Sequence, residues 1–244
     1  MKKFTLLVLT VIVYSMSNYL FAQEPEATSG YTFGTLDKLL FSVFASKVDL
    51  GGDAKEFEKY LDDIYTLGAS VAVPFSPYFS VIGNVARTNI SGNFNEDGLS
   101  LDGDITVVAL SGGARVHLLP HQRVNPFVFG SYTYASTEYD FTVDRETSSD
   151  SDSETSLSYG LGVEFSFTER LTLLGSVTRT SPQGNDDRGV NWSAEGLDDP
   201  NEDRDSVALA LNYWVNPQIL ISLLYGYELE DETVSYGLGL GVSF

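Results

Sequence analysis

The sequence reads as an all-β chain: a transmembrane antiparallel up-and-down β-barrel of ten strands, with eight as the alternative count. Three observations carry that reading. Runs long enough to cross a bilayer as tilted strands, which takes about 9 to 11 residues, alternate between apolar side chains and Gly, Ser or Thr. The spacers between them are in turn short and long. The chain also begins with an export-type leader, Lys2 and Lys3 ahead of the apolar run from Phe4 to Val13.

In chain order the leader comes first. A basic start, an apolar stretch of about ten residues and Ala22 before Gln23 match a secretory signal peptide over residues 1–22. The stretch falls short of the ~20 residues a spanning helix needs. Residues 23–35 follow as a short periplasmic segment, and residues 36–244 as the barrel.

The first strand is expected at 36–48, with Leu39, Phe41, Val43 and Ala45 outward, and its pattern is the weakest. Ala54 to Leu61 carries apolar residues at helical spacing, so the loop there is expected to hold a short helix. Residues 64–75 set Tyr65, Leu67, Ala69, Val71, Val73 and Phe75 on one face, and 104–119 do so with Val108, Leu110, Val116 and Leu118. Residues 155–167 alternate Leu157, Tyr159, Leu161, Val163, Phe165 and Phe167 with Ser, Gly and Glu164. Residues 205–215 and 217–228 keep their apolar residues on odd positions, and less regular runs lie at 77–90, 125–138 and 170–180.

The last run, 233–244, is the strictest, with Val234, Tyr236, Leu238, Leu240, Val242 and Phe244 against only Thr, Ser and Gly. A soluble sheet would place polar or charged residues on its second face. Tiny residues opposite an apolar face mark a tight interior behind a lipid-facing wall.

Tight turns fall at 74–77, 119–125, 168–170 and 215–217. Long polar spacers fall at 49–63, 91–103, 139–154 and 181–204, with a shorter one at 229–232. In barrels of this kind short turns face the periplasm and long loops face outward. Aromatic residues are expected as girdles: Phe75, Tyr78, Phe127, Phe165, Phe167, Tyr213 and Phe244 on the periplasmic side, and Tyr65, Tyr132, Tyr134 and Tyr227 on the outer side.

Charge supports the same arrangement. The 244 residues hold 34 Asp and Glu against 14 Lys and Arg, and no Cys. The absence of Cys excludes a disulfide scaffold and a thiolate metal centre, and a pI near 4.2 argues against nucleic acid as a partner. Of the 34 acids, 29 fall in the long spacers and strand tips, so the negative charge belongs to one end of the molecule.

A signal peptide, ten amphipathic runs and a terminal strand ending Tyr236-Gly237-Leu238-Gly239-Leu240-Gly241-Val242-Ser243-Phe244 resemble the small outer-membrane β-barrel proteins of Gram-negative bacteria, the porin-like OmpA and OmpX kind. The resemblance implies a place in the outer membrane of the cell envelope, among its lipid and lipopolysaccharide, with both termini in the periplasm. It further implies that Tyr236, Leu238, Leu240, Val242 and Phe244 form the signal read by the barrel-assembly machinery, with periplasmic chaperones as partners during biogenesis. It does not select an activity, because this architecture carries adhesins, proteases, lipases and narrow pores alike.

The candidate chemistry is sparse. Ten-stranded omptin proteases use acidic residues and a histidine at the extracellular rim, and outer-membrane lipid A enzymes use a His with a Ser partner near the outer leaflet. Here the two histidines, His117 and His121, are expected near the periplasmic end, and a Ser or Asp without a base is a weak nucleophile. No catalytic, cofactor or metal residue is therefore assigned, and the final glycine run precedes no helix that would cradle a phosphate.

Arg115, Glu164, His117, Asn212 and Glu228 are expected as a polar cluster in the lumen, with Arg115 and Glu164 forming an ion pair. Arg87 and Arg179, at the outer ends of their strands, are expected to contact lipopolysaccharide phosphates. The acidic loops carry oxygen ligands for hard cations but no spaced calcium-loop motif. The expected function is structural or surface-interacting without catalysis, the alternative being a narrow channel for small solutes or ions.

Overall fold

Period-2 alternation sends successive side chains to opposite faces, and in the computed structural model it closes into a barrel. The structure describes residues 39–244 apart from 53–54, 56–60, 62–63, 97–98, 121, 144–145 and 184–202. Its strands are β1 (Leu40–Asp49), β2 (Ile64–Ser76), β3 (Phe79–Glu96), β4 (Leu99–His117), β5 (Val124–Val143), β6 (Glu146–Ser166), β7 (Leu171–Pro182), β8 (Arg204–Asn216), β9 (Ile219–Glu228) and β10 (Val234–Ser243). Each pairs antiparallel with its neighbours in sequence, and β10 pairs with β1, so this ten-stranded all-β sheet has no edge in its wall. The leader, residues 23–35 and positions 36–38 lie outside the described residues.

The wall is two-faced throughout. Leu67, Leu110, Leu161, Leu223 and Leu238 point out and are exposed, while Ser42, Thr66, Ser111, Ser158, Ser222 and Ser235 point in and are buried. The first strand has the orientation expected of it, with Leu39, Phe41 and Val43 outward and Phe44 inward. The short turns between β2 and β3, β4 and β5, β6 and β7, and β8 and β9 share one end, here the turn end. The opposite end is the loop end.

The structure differs from the sequence expectation in two places. Phe127, expected in the lipid-facing girdle on the periplasmic side, is 1% exposed and points inward. Val124, Val128, Tyr132 and Tyr134 are exposed on the outward face of β5, and Phe127 lies on the other parity. Second, most of 91–103 and 139–154 is strand rather than loop. β3 pairs with β4 as far as Glu96 and Leu99, and β5 with β6 as far as Val143 and Glu146. Beyond a bilayer both faces of a sheet meet water, so these segments lose the apolar alternation that marks a membrane strand yet keep their ladder.

The helix expected at 54–61 falls mostly outside the described residues. Within them, the Lys55 N–H donates to the Gly51 carbonyl at 3.2 Å, the spacing of one helical turn.

Candidate functional site

The interior is layered, and small residues make the layering possible. At the turn end Trp214, Arg115, Phe127, Ile82, Leu174 and Leu220 are all fully buried. Phe127 and Phe129 on β5 face Gly162 and Gly160 across the ladder to β6. A Cβ at either glycine would overlap the facing ring and a β7 carbonyl, of Gly175 and Val177 respectively. The same device pairs Phe44 on β1 with Gly68 on β2. Glycine on one strand thus lets a ring from the next lie flat across the wall and fill the lumen.

The polar groups of this layer are built around Phe127. The Arg115 guanidinium carbon stands 4.4 Å from the ring centroid, a cation–π contact. The His117 ring stands 5.9 Å from it on another side. The Asn125 amide donates to His117 Nδ1 at 2.9 Å, and its carbonyl accepts the Leu119 N–H at 3.3 Å, so one asparagine ties β5 to both the histidine and the following turn. Glu164, buried, is the ladder partner of Asn125. The expected cluster is therefore only partly one cluster. Arg115, His117 and Glu164 belong to this layer. Asn212 sits on β8 between Ala210, the ladder partner of Leu174, and Trp214, so it lies at the depth of this layer, and it accepts from the Ser222 hydroxyl at 2.7 Å. Glu228 alone lies at the far end of the lumen, at the loop end of β9.

Toward the loop end the side chains become small and hydroxylated. Ser42 meets Ser70 at 2.5 Å, Thr66 meets Thr88 at 2.7 Å, Ser158 meets Thr180 at 2.8 Å, and Asn84 donates to Ser111 at 3.3 Å.

Beyond that layer the mouth has two unlike sides. Val48, Ile64, Ile90, Ile105 and Val107 are buried on β1 to β4, and Leu50 is buried just past the end of β1. Opposite them Arg204 Nη1 on β8 stands 3.8 Å from Glu228 Oε1 on β9. Burial, reinforced by repulsion from Asp231 and Glu230 and opposed by Arg204, pushes the Glu228 carboxyl up to about 8. Burial likewise raises Glu154 on the facing part of β6, against the pull of Arg204.

On the outer wall the register, corrected for strand tilt, sets one ring at a single height toward the loop end. It holds Lys47, Tyr65, Arg87, Tyr134, Tyr159, Arg179, Asp205, Tyr227 and Tyr236. Arg179 Nε and Nη2 donate to the two Asp205 carboxylate oxygens at 2.7 and 2.6 Å. Arg179 holds the Asp205 carboxyl below its usual range. Arg87 differs: its Nε donates to the neutral Asn89 Oδ1 at 3.0 Å. Tyr236, Leu238, Leu240 and Phe244 are exposed on the outer face of β10, with Val242 half-buried in the same row, and the Phe244 N–H donates to Leu39 across the seam. Among the described residues no three His, Asp or Glu side chains group as a metal site.

A closed barrel with an apolar belt, a tyrosine ring and a side-chain-filled lumen defines the class: a membrane β-barrel. The family model of the outer membrane protein beta-barrel domain matches residues 6–196, and the chain belongs to that family. It is accordingly an outer-membrane protein. No curated protein matches it in sequence. Among solved structures, the translocator domain of the autotransporter NalP from Neisseria meningitidis is similar, at TM-score 0.56 and 11% identity over 96% of this chain and 99% of that one. The outer membrane protein OprG from Pseudomonas aeruginosa gives TM-score 0.42 and 13% identity over 85% and 96%. The outer membrane protease OmpT from Escherichia coli gives 0.46 and 10% over 86% and 98%. At such identities the likeness concerns the fold alone.

Proposed function

We propose that this is a structural or surface-interacting outer-membrane barrel without catalysis, closed to solutes at its turn end. Its short turns and both termini face the periplasm, and its long hairpins face outward. The observation that carries the reading is the filled turn-end layer, where Trp214, Arg115, Phe127, Leu174 and Leu220 each expose less than 2% of their surface. A lumen blocked by groups of that size passes no hydrated ion. The absence of catalysis is supported by the position of His117, which is buried against Phe127 and accepts from Asn125 rather than facing a nucleophile at a rim. An acidic outer end suits contact with cationic surfaces, and the outward row on β10 suits the assembly-signal reading.

Recording from single proteins in a planar bilayer tests the closure. No conductance is expected from the native chain, and discrete openings would sink the proposal. A second reading, a narrow path for water or small solutes, draws on the hydroxyl layer. The Ser131, Thr133, Ser156, Ser176 and Thr178 hydroxyls are buried without a hydrogen-bond partner in the protein, and buried hydroxyls call for water. On that reading the turn-end layer is the gate, and removing it opens the path.

A further inference from the structure

The charged side of the mouth is short of cations. On the inward face of β6, Asp150, Asp152 and Glu154 follow one another at every second residue above the buried Ser156. Asp150 is exposed while Asp152 and Glu154 are half-buried, so the row leads from water down into the mouth. Glu228 on β9 is 3% exposed, and its Oε1 accepts no hydrogen bond. Arg204 Nη1 stands 3.8 Å away, beyond hydrogen-bond reach, and donates none. The same guanidinium acts on both Glu228 and Glu154. Two inward carboxyls therefore share one cation, and a buried oxygen lacks the donor that buried polar groups normally have.

We propose that Glu228 and Glu154 form a binding site for the ammonium group of a small organic amine, whose apolar body lies toward Val48, Ile64, Ile90, Ile105 and Val107. An ammonium brings three donors and no acceptor, which is what an undonated carboxylate oxygen calls for. With both carboxyls ionised, Arg204 leaves one negative charge uncompensated, and the ligand supplies the missing cation. Burial and the repulsion of Asp231 and Glu230 hold the Glu228 carboxyl up, and Asp152 does the same beside Glu154. A bound cation offsets that repulsion. The opposite side of the mouth, on β1 to β4, is aliphatic, so each methylene placed against it favours binding about fourfold.

The donor set selects this ligand over others. Among the described residues no three His, Asp or Glu side chains group as a metal site, so a divalent ion finds no cage there. An anion meets the acids of the row and of the β9–β10 turn, and a neutral apolar molecule leaves Glu228 Oε1 without a donor. The other acids nearby are already engaged. Both Glu230 carboxylate oxygens accept the Asp205 N–H at 3.1 Å, and the Asp205 carboxylate on the outer wall takes the Arg179 fork. The site deepens the surface-interacting reading by giving it a ligand class, and it holds whichever end of the barrel faces outward.

The test uses the full barrel in nanodiscs with isotope-labelled Ile methyl groups, and follows their NMR signals as n-butylammonium, n-butanol or methylammonium is added. With n-butylammonium the Ile64, Ile90 and Ile105 signals are expected to shift and saturate, while Ile82 in the turn-end layer stays in place. n-Butanol, which lacks the charge, and methylammonium, which lacks the body, are each expected to bind about tenfold more weakly. Glu228→Gln is expected to weaken n-butylammonium binding about tenfold and its pair with Glu154→Gln to abolish it. Asp205→Asn is expected to change nothing. A heat-modifiable gel band in each variant shows that the barrel is folded. Unmoved Ile64, Ile90 and Ile105 signals would overturn the site. So would equal binding of n-butanol, or equal losses in Glu228→Gln and Asp205→Asn. Closure of the lumen is decided separately by the bilayer recordings, so the two readings fail on different measurements.

Discussion

The two halves of the lumen solve opposite problems with the same wall. The turn-end half is packed with rings and long side chains, and Ile82, Phe127 and Phe129 there each face a glycine across the ladder. The half toward the loop end is lined with Ser and Thr and finishes in a mouth that is apolar on one side and charged on the other. On the proposed reading, closure and responsiveness are separated along the barrel axis: the turn end would decide permeability, and the mouth carries the carboxyl that burial pushes up.

The heaviest blow to this division is Trp214→Ala. It removes a fully buried indole from the packed layer and is expected to destabilise by about 3–5 kcal/mol, read from urea unfolding in lipid. If the indole is part of the seal, discrete conductance should also appear in bilayer recordings; a silent variant would assign the seal to Arg115 and Phe127 alone.

The mouth is tested next, through pH. The Glu228 carboxyl is pushed up to about 8 in the folded chain against an ordinary value of 4.5. Between those values the folded state holds the proton and the unfolded state does not, so stability is full below about 4.5 and falls as pH rises toward 8. The groups facing it are Arg204, Asp231 and Glu230, and Arg204 is shared with Glu154. Glu228→Gln should flatten this slope and raise stability at pH 8 by on the order of 2 kcal/mol. An unchanged slope would assign it to Glu154.

Gly162→Val sharpens the comparison on a smaller scale. The new side chain meets Phe127 and the Gly175 carbonyl, and a loss of about 1–3 kcal/mol is expected from overpacking. The equivalent change at Gly112, which faces outward with nothing within 4 Å of its added Cβ, should be near neutral in the same assay. The smallest effect belongs to Asp205→Asn on the outer wall. Asp205 titrates below its usual value because of Arg179, so its contribution is present above about 3.8 and is lost as pH falls through the folded value. Exposed pairs contribute little, and only a slight shift in acid unfolding is expected.

Much of this was legible in the sequence because parity is a strong signal. One run such as Thr233 to Phe244 assigns a face to each of its residues, and the turns at Pro77 and Pro217 delimit their strands. Depth is not legible in the same way. Arg115, Asn212 and Glu228 share the inward face, but which of them meet depends on how far each strand slides along the next, and shear is a property of the closed barrel. Phe127 escapes the parity signal because it follows Pro126 near a strand start, where its parity conflicts with that of Tyr132 and Tyr134. The signal that identifies it is the spacing of Gly160 and Gly162, matched by that of Phe127 and Phe129. The extended hairpins were concealed because the segments that form them are polar on both faces and lack the apolar alternation of a membrane strand.

The seam between β1 and β10 ties Leu40 to Ser243 and Asp49 to Val234, joining strands from opposite ends of the sheet's chain order. Until that contact forms, the nascent sheet keeps two open borders, each a template for pairing with another chain. Assembly is therefore a race between ring closure and polymerisation. Since β10 is the last strand in chain order, the race cannot be won while β10 is still being delivered. A chain shortened by that one strand would leave both borders open, so it should behave as an aggregation-prone sheet and a burden on its handlers rather than as a slightly weaker barrel.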